Sequence, residues 1–344
     1  MKYSRAISLG LNLFFAKIAK RRVPFQVHLR LLEQCNRNCS YCKRDYPFSG
    51  IKPPAIGKFL KVIDDFVSLG TRRFTLFGGE PLLYKDIEEI VRRIKFHKVN
   101  CSVMTNGSLI EQHKGLLKDI DLLTVSLDGD QQSHDAYRGK GSYNEAICAI
   151  KLARSKGTQV QLLCTITNLT DLKLRHLFEI AEYYDCTIDF EQLNPLFNSN
   201  GTITLRDEDP GADKIKALID YQLKYKNPRI VNSRHTLKYI RSWLPFYKIF
   251  RLFEGQALNN LKLIKCSGGQ FFATVEANGD IFPCCLIRTD YKPVNVFNLG
   301  VKSAWESMPQ NNCIACRSIG YSMFNSIFSL NINSIFSLLR QGIN

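Results

Sequence analysis

No stretch of this sequence stays apolar for the roughly 20 residues that a helix needs to cross a bilayer, so a helical membrane protein is excluded. No run of lysine and arginine is long enough to make a nucleic-acid-binding arm, although the 344 residues carry a net charge of +16. No repeat and no low-complexity tract interrupts the chain. Apolar and charged residues make up 45% and 23% of it, ordinary shares that exclude a chain too polar to fold. A small-residue cleavage site is also missing. Lys2 and Arg5 precede an apolar stretch from Ala6 to Ala16, as in a signal peptide, but Lys17, Lys20, Arg21 and Arg22 follow it directly. Ile7, Leu11, Phe14 and Ile18 recur at helical spacing there, so 1–24 is expected to form an amphipathic helix.

What is abundant is positive charge and cysteine. The charge would attract anionic lipid, acidic substrates or nucleic acid, or simply solvate the surface. Of the 12 cysteines, Cys35, Cys39, Cys42, Cys266, Cys284, Cys313 and Cys316 fall into tight or patterned groups. The chain is far too long for a small disulfide scaffold, and clustered cysteines in a chain of this size more often bind metal. Cys101, Cys148, Cys164, Cys186 and Cys285 are scattered among apolar residues and read as small buried hydrophobes.

Six β-rich runs are evident: Phe25–Leu32, Arg73–Phe77, Val99–Met104, Leu122–Leu127, Gln159–Ile166 and Thr187–Gln192. Helical periodicity lies between them at Lys58–Leu69, Lys85–His97, Leu109–Asp119, Tyr143–Ser155 and Leu172–Tyr184. Strands alternating with helices imply parallel pairing through crossover helices. Six units are too few to close an eight-stranded barrel but enough for an open one. The expected fold is therefore α/β, a partial (β/α)6 TIM-like barrel. Each run ends in reactive or turn-forming residues: Cys35–Cys39, Gly78-Gly79-Glu80-Pro81, Thr105-Asn106-Gly107, Ser126-Leu-Asp128-Gly129, Thr165–Asn168 and Glu191–Asn194. In a parallel barrel, that is the end where active sites are built.

Cys35-x3-Cys39-x2-Cys42 puts three thiolates on one loop. Three ligands around a four-iron cube leave one iron open. Zinc is the alternative, but it would want a fourth ligand, and the nearest histidine, His28, lies within the first strand. With Tyr41 just before the third cysteine, the loop resembles the signature of the radical S-adenosylmethionine (radical SAM) superfamily. The resemblance runs to about Asn194. It implies that the open iron binds S-adenosylmethionine and that one-electron cleavage yields a 5′-deoxyadenosyl radical, which takes a hydrogen atom from the substrate. Gly78, Gly79 and Glu80 resemble the family's second-strand motif, in which the glycines let backbone approach the cofactor and the glutamate meets its amino group. Thr105, Asn106, Ser126 and Asp128 stand where family members line the methionine and ribose. Arg138 resembles the arginine that pairs with the cofactor carboxylate. Taken without the resemblance, these polar residues are turn-makers and caps.

The second constellation is Cys266-x12-Gly279-x4-Cys284, then Cys313-x2-Cys316. Phe271–Glu276 and Asp280–Pro283 around Asn278-Gly279 read as a β-hairpin, since Asn-Gly is the preferred two-residue turn. The pattern resembles the SPASM/twitch extension, which implies a second, auxiliary [4Fe-4S] cluster. No cysteine follows Cys316, so the shorter, single-cluster form is expected. A four-cysteine zinc is again the alternative. Cys285 could replace Cys284, although the spacing from Gly279 favours Cys284. Five segments are expected: an N-terminal helix (1–24), the barrel (25–200), a helical connector (201–265), a small C-terminal iron–sulfur module of hairpin plus helix (266–319), and an amphipathic helix (320–344) carrying Phe324, Ile327, Phe328, Ile335, Phe336 and Leu339.

The resemblance implies an oxidoreductase or maturase acting oxidatively, or by bond formation, on a peptide or small molecule. A flavodoxin or ferredoxin would reduce it, and it would work in the cytoplasm. Asp189 and Glu191 on the last strand are the candidate catalytic bases. The chain ends Gln341-Gly-Ile-Asn344, without the double glycine usual in the GTP cyclase of molybdenum-cofactor synthesis. A lipid or isoprenoid substrate, with peripheral contact at the inner membrane surface, is the reading suggested by the terminal helices. RNA modification rests on charge alone, and nucleic acid is not an expected partner. A non-catalytic iron–sulfur protein would not need Glu80 or the residues at the strand ends.

Overall fold

The computed structural model of the chain describes residues 12–42, 54–167, 170–197, 203–205, 207, 209–258, 261–287, 291–309 and 313–335. A short helix α1 (12–18) leads into the barrel. There follow β1 (Gln26–Arg30), α2 (Ile56–Ser68), β2 (Arg73–Phe77), α3 (Ile87–Phe96), β3 (Asn100–Thr105), β4 (Leu122–Ser126), α4 (Gln131–Arg138), α5 (Ser142–Ser155), β5 (Gln159–Ile166), α6 (Asp171–Tyr183) and β6 (Thr187–Gln192). These six strands lie side by side in chain order, every neighbouring pair parallel. The helices cover one face. In α2, Phe59, Val62, Ile63 and Phe66 are buried, the spacing of a single helical stripe. The opposite face is a polar lumen. In β6, Ile188, Phe190 and Gln192 are buried while Thr187, Asp189 and Glu191 alternate with them on the less buried side.

Beyond the barrel come β7 (Leu196–Phe197), β8 (Ile203–Thr204), α7 (Gly211–Tyr225), α8 (Arg234–Trp243), β9 (Arg251–Phe253), β10 (Phe272–Val275), β11 (Asp280–Phe282), β12 (Val294–Asn295), α9 (Val296–Leu299), α10 (Val301–Ser307), β13 (Cys313–Cys316) and α11 (Ile319–Phe328). The expected hairpin forms as β10–β11, and Gly279 at its turn has φ +90°. It is not a separate layer. β10 pairs parallel with β1, so the barrel sheet continues into it, in the order β12-β11-β10-β1-β2-β3-β4-β5-β6. The connector likewise supplies β9, which pairs with the cysteine strand β13.

Four expectations change. Leu109–Asp119 is not an α-helix: it runs through tight turns, with Gln112, His113 and Leu116 each donating to the carbonyl three residues back, and a 3₁₀ turn at Leu116–Lys118. Its apolar residues are still buried, so the periodicity reported burial rather than helix. The C-terminal helix is broken: α11 ends at Phe328, Leu330 takes a left-handed φ of 64°, and a new helical turn starts at 332. Phe336 and Leu339 lie outside the described residues. In α1, Leu13 and Ala16 pack inward, whereas Phe14 and Ile18 of the expected stripe face solvent; Ile7 and Leu11 lie outside the described residues. Among the scattered cysteines, Cys101, Cys164 and Cys186 are buried as expected, but Cys148 is exposed.

The hairpin is fastened to the barrel by charge. Arg30 at the end of β1 places Nε 2.7 Å from the Glu276 carboxylate at the end of β10, both side chains almost fully buried. The Arg30 guanidinium also lies 4.4 Å over the Phe77 ring. The Glu33 carboxylate lies farther from the same Nε, at 3.5 Å, so Glu276 is the main counter-charge, and removing the main partner of a buried charge is costly. Glu276→Ala should therefore lower stability by about 3–5 kcal/mol, read as a shift of the urea midpoint.

Candidate functional site

The first cysteine loop sits at the C-terminal mouth of the barrel because the chain leaves β1 and meets the end of β2. Gly79 N–H donates to the Leu32 carbonyl (3.0 Å) and Glu80 N–H to that of Gln34 (2.9 Å). A Cβ on Gly78 would stand 2.6 Å from the Leu32 carbonyl oxygen, and one on Gly79 would strike Gln34. The two glycines thus give way to the segment that carries Cys35. Glu80 itself is 1% exposed. Its carboxylate accepts hydrogen bonds from Thr105 Oγ1 (2.7 Å), Asn106 N–H (2.8 Å) and Leu82 N–H (3.2 Å). Burial nonetheless raises the pKa of its carboxyl above the usual carboxylate value, against the pull of those donors. The Asn106 side chain donates to Asn36 Oδ1 (2.9 Å), between Cys35 and Cys39, and so ties β3 to the loop.

Cys35 and Cys39 are partly buried and Cys42 is exposed. Burial raises the Cys39 thiol; the Arg138 charge opposes this, and Cys42, Cys35 and Asp128 add to it, so the three thiols lie within one another's field. Asp128, at the end of β4, is the hub on the far side. Arg138 grips it with both arms, Nε at 2.6 Å and Nη2 at 3.2 Å. Tyr41 Oη donates to it at 2.6 Å and Thr165 N–H at 3.0 Å. Burial opposes ionisation of Asp128, but the Arg138 charge and hydrogen bonds outweigh it and hold the carboxyl below its ordinary value. Tyr41, Asp128 and Arg138 are therefore brought together with their polar groups turned on one another. Ser126 closes β4 half-buried beside them.

Across the lumen, Asp189 accepts from Asn232 Nδ2 (2.7 Å) and Gln161 Nε2 (3.1 Å). Burial lifts its carboxyl to about 6, against the Asn232 hydrogen bond. Glu191, opposite Thr165 in the β5–β6 register, is lifted further by burial and then by the Asp189 charge, while Gly320 N–H donates to it. A Cβ at Gly320 would collide with the Glu191 carboxylate. His28 is engaged inside the lumen, 2.8 Å from Gln26 Nε2 and packed against Phe77, Tyr321 and Phe324.

The second constellation converges. Cys266, Cys284, Cys313 and Cys316 line one cavity, walled by Phe250, Phe272 and Tyr321. Cys285 does not line it; its Sγ accepts a hydrogen bond from Tyr321 Oη at 3.1 Å. Cys266 is held to β13 by its N–H on the Ile314 carbonyl (2.7 Å). The cavity adjoins the end of β6, where Gln192 and Arg317 exchange hydrogen bonds and the Cys316 thiol feels the Glu191 charge. Among the described residues no three His, Cys, Asp or Glu side chains are gathered to hold a metal ion. A single zinc would need its thiolates about 2.3 Å from one centre, while a four-iron cube spreads the same ligands more widely. The all-thiol donor set suits the cube. Asn36, Asn232, Gly320 and Tyr321 were not legible as site residues; only Asn36, inside the cysteine loop, carries a positional cue.

Residues 29–183 match the Radical SAM superfamily model. The chain is 26% identical over 269 residues to the mycofactocin maturase MftC of Mycobacterium tuberculosis, a match covering 76% of this chain and 64% of that protein. It is 32% identical over 162 residues to the probable GTP 3′,8-cyclase of Pyrococcus abyssi, covering 45% of this chain and 52% of the relative. The chain thus spans about half to two thirds of these curated relatives. In fold it is similar to Streptococcus suis SuiB bound to S-adenosylmethionine, at a TM-score of 0.66 and 14% identity, covering 86% of this chain and 66% of that one. With the three-cysteine loop, the Gly-Gly-Glu strand end and the six-stranded parallel barrel in place, residues 29–183 of the chain carry a radical SAM superfamily domain.

Proposed function

We propose that the chain is a radical SAM enzyme that oxidises or joins groups on a peptide or small molecule held in the barrel lumen. The observation that carries this reading is the zipper between Leu32–Gln34 and Gly78–Glu80, which sets a buried carboxylate beside the three-cysteine loop. Cys35, Cys39 and Cys42 would hold the first [4Fe-4S] cluster, with S-adenosylmethionine on its open iron. When bound, that pair supplies a 5′-deoxyadenosyl radical by one-electron cleavage of the sulfonium. Glu80, its oxygens fixed by Thr105, Asn106 and Leu82, would receive the cofactor's amino group. Arg138, Asp128 and Tyr41 act as a positioning knot that keeps β4 and the cysteine loop in register, and Gly78 and Gly79 serve the close packing of backbone on backbone.

Cys266, Cys284, Cys313 and Cys316 would hold the auxiliary cluster. Glu191 stands between the lumen and that cavity, so a proton leaving an oxidised substrate has an acceptor on the same side. Burial raises the proton affinity of both carboxyls, that of Asp189 to about 6, which suits Asp189 to that role near neutrality. A low-potential flavodoxin or ferredoxin would deliver electrons, and the reducing cytoplasm is the compartment such clusters require. MftC is named a maturase and SuiB is known with a precursor peptide, which favours a peptide over a nucleotide substrate.

After anaerobic reconstitution and reduction, the chain should release 5′-deoxyadenosine from S-adenosylmethionine, and Cys39→Ala should not. Product formation by Cys39→Ala at the parent rate would sink the reading. Two clusters correspond to about eight irons per chain, and Cys313→Ala with Cys316→Ala should leave about four while cofactor cleavage persists. Substrate turnover should rise as pH increases through about 6, where Asp189 loses its proton. Asp189→Asn and Glu191→Gln should each lose product and keep uncoupled 5′-deoxyadenosine formation; a full yield of product from either would remove that residue from the mechanism.

A further inference from the structure

We propose that α1 and the segment after α11 together form a docking surface for an anionic lipid bilayer. The proposal holds whatever the lumen binds. Phe14, Phe15 and Ile18 on α1 are 47%, 63% and 66% exposed, and Ile332 is 68% exposed. These side chains come from opposite ends of the chain. Lys17 Nζ donates to the Phe328 carbonyl at 2.8 Å and fastens α1 to the end of α11. The inner face of α1 is anchored, since Leu13 and Ala16 pack in one cluster with Phe25, Phe271 and Phe328. The outer apolar residues are therefore not the loose side of an unattached helix. They are held outward by a fixed inner face.

Charge names the occupant. Lys20 and Arg21, both exposed, follow α1 directly. The chain has no aspartate or glutamate before Glu33 and none after Glu306, so neither segment that meets here brings an acidic residue, and the positive charge comes from the end of α1. Aromatic and aliphatic side chains turned outward beside lysine and arginine are the features by which an amphipathic helix lies in a bilayer interface, with apolar groups below the headgroups and cations at the phosphates. An ordinary solvated helix would place polar residues where Phe14, Phe15 and Ile18 stand.

The test is flotation of the full, anaerobically reconstituted chain with vesicles of phosphatidylcholine, alone or with phosphatidylglycerol. The chain should rise with the phosphatidylglycerol vesicles and not with phosphatidylcholine alone, and added salt should release it. Combined Phe14→Ser, Phe15→Ser and Ile18→Ser should cut the bound fraction about ten-fold or more, with the circular dichroism unchanged. Lys20→Glu with Arg21→Glu should weaken binding to the anionic vesicles without touching the apolar residues. No binding to either vesicle, or undiminished binding by both variants, overturns the proposal. So does a chain that ignores vesicles but whose triple variant is reduced more slowly by flavodoxin, which would make the surface a dock for an acidic electron carrier.

Discussion

Everything at the mouth of this barrel depends on how closely the end of β2 approaches the segment leaving β1. Gly78 and Gly79 leave room for the carbonyls of Leu32 and Gln34, and two backbone hydrogen bonds close the gap. A side chain at Gly79 would push the two segments apart. Cys35 follows Gln34 and Glu80 follows Gly79, so the same contact sets the distance between the first thiol and the buried carboxylate. Placement by backbone is stiffer than placement by side-chain rotamers, and a cofactor bridging a cluster and a carboxylate needs that stiffness.

The saturation of Asp128 answers a related need. A buried carboxylate that accepts from Arg138, Tyr41 and Thr165 joins α4, the cysteine loop and β5 at one point. Its ionised form is stabilised where it stands, so it contributes rigidity across the neutral range. Asp189 and Glu191 are the opposite case. Asp189 has amide donors and Glu191 a single backbone donor, both are desolvated, and both hold a proton more tightly than a solvated carboxylate does. One mouth thus carries a fixed charge that organises and a pair of desolvated carboxylates whose proton affinity burial raises.

Much of this could be read from the sequence because parallel strands and their crossover helices leave strong patterns. The strands Arg73–Phe77, Gln159–Ile166 and Thr187–Gln192 fall at the expected residues, and the cysteine groups signalled both sites. Periodicity failed where burial and helix part company. Ile110, Leu116 and Leu117 are buried from a string of tight turns, and Phe14 and Ile18 keep helical spacing yet face outward. α4 gave no signal, because its eight residues are mostly polar and it exists to present Arg138. Asn232 and Gly320 were invisible for a different reason: their partners, Asp189 and Glu191, are distant in sequence, and it is the bridge of Ile230 and Val231 to Ile188 and the packing of α11 against β6 that bring them close.

That packing also explains why the sheet does not stop at six strands. β10 adds to β1 on one side of the barrel and α11 abuts β6 on the other, so the C-terminal segment spans the opening that a six-stranded barrel leaves. The four thiols of the second site lie along that span, on β13, just after the hairpin and on the segment leading into it, and the Gln192–Arg317 exchange locks the span to β6. An auxiliary site carried on a tethered domain could sit at any distance from the lumen. Here it is the wall that closes the lumen, and Glu191, in contact with Gly320, is where the wall meets the last strand. A group lying against β6 would therefore face the first cysteine loop on one side and the second thiol cavity on the other.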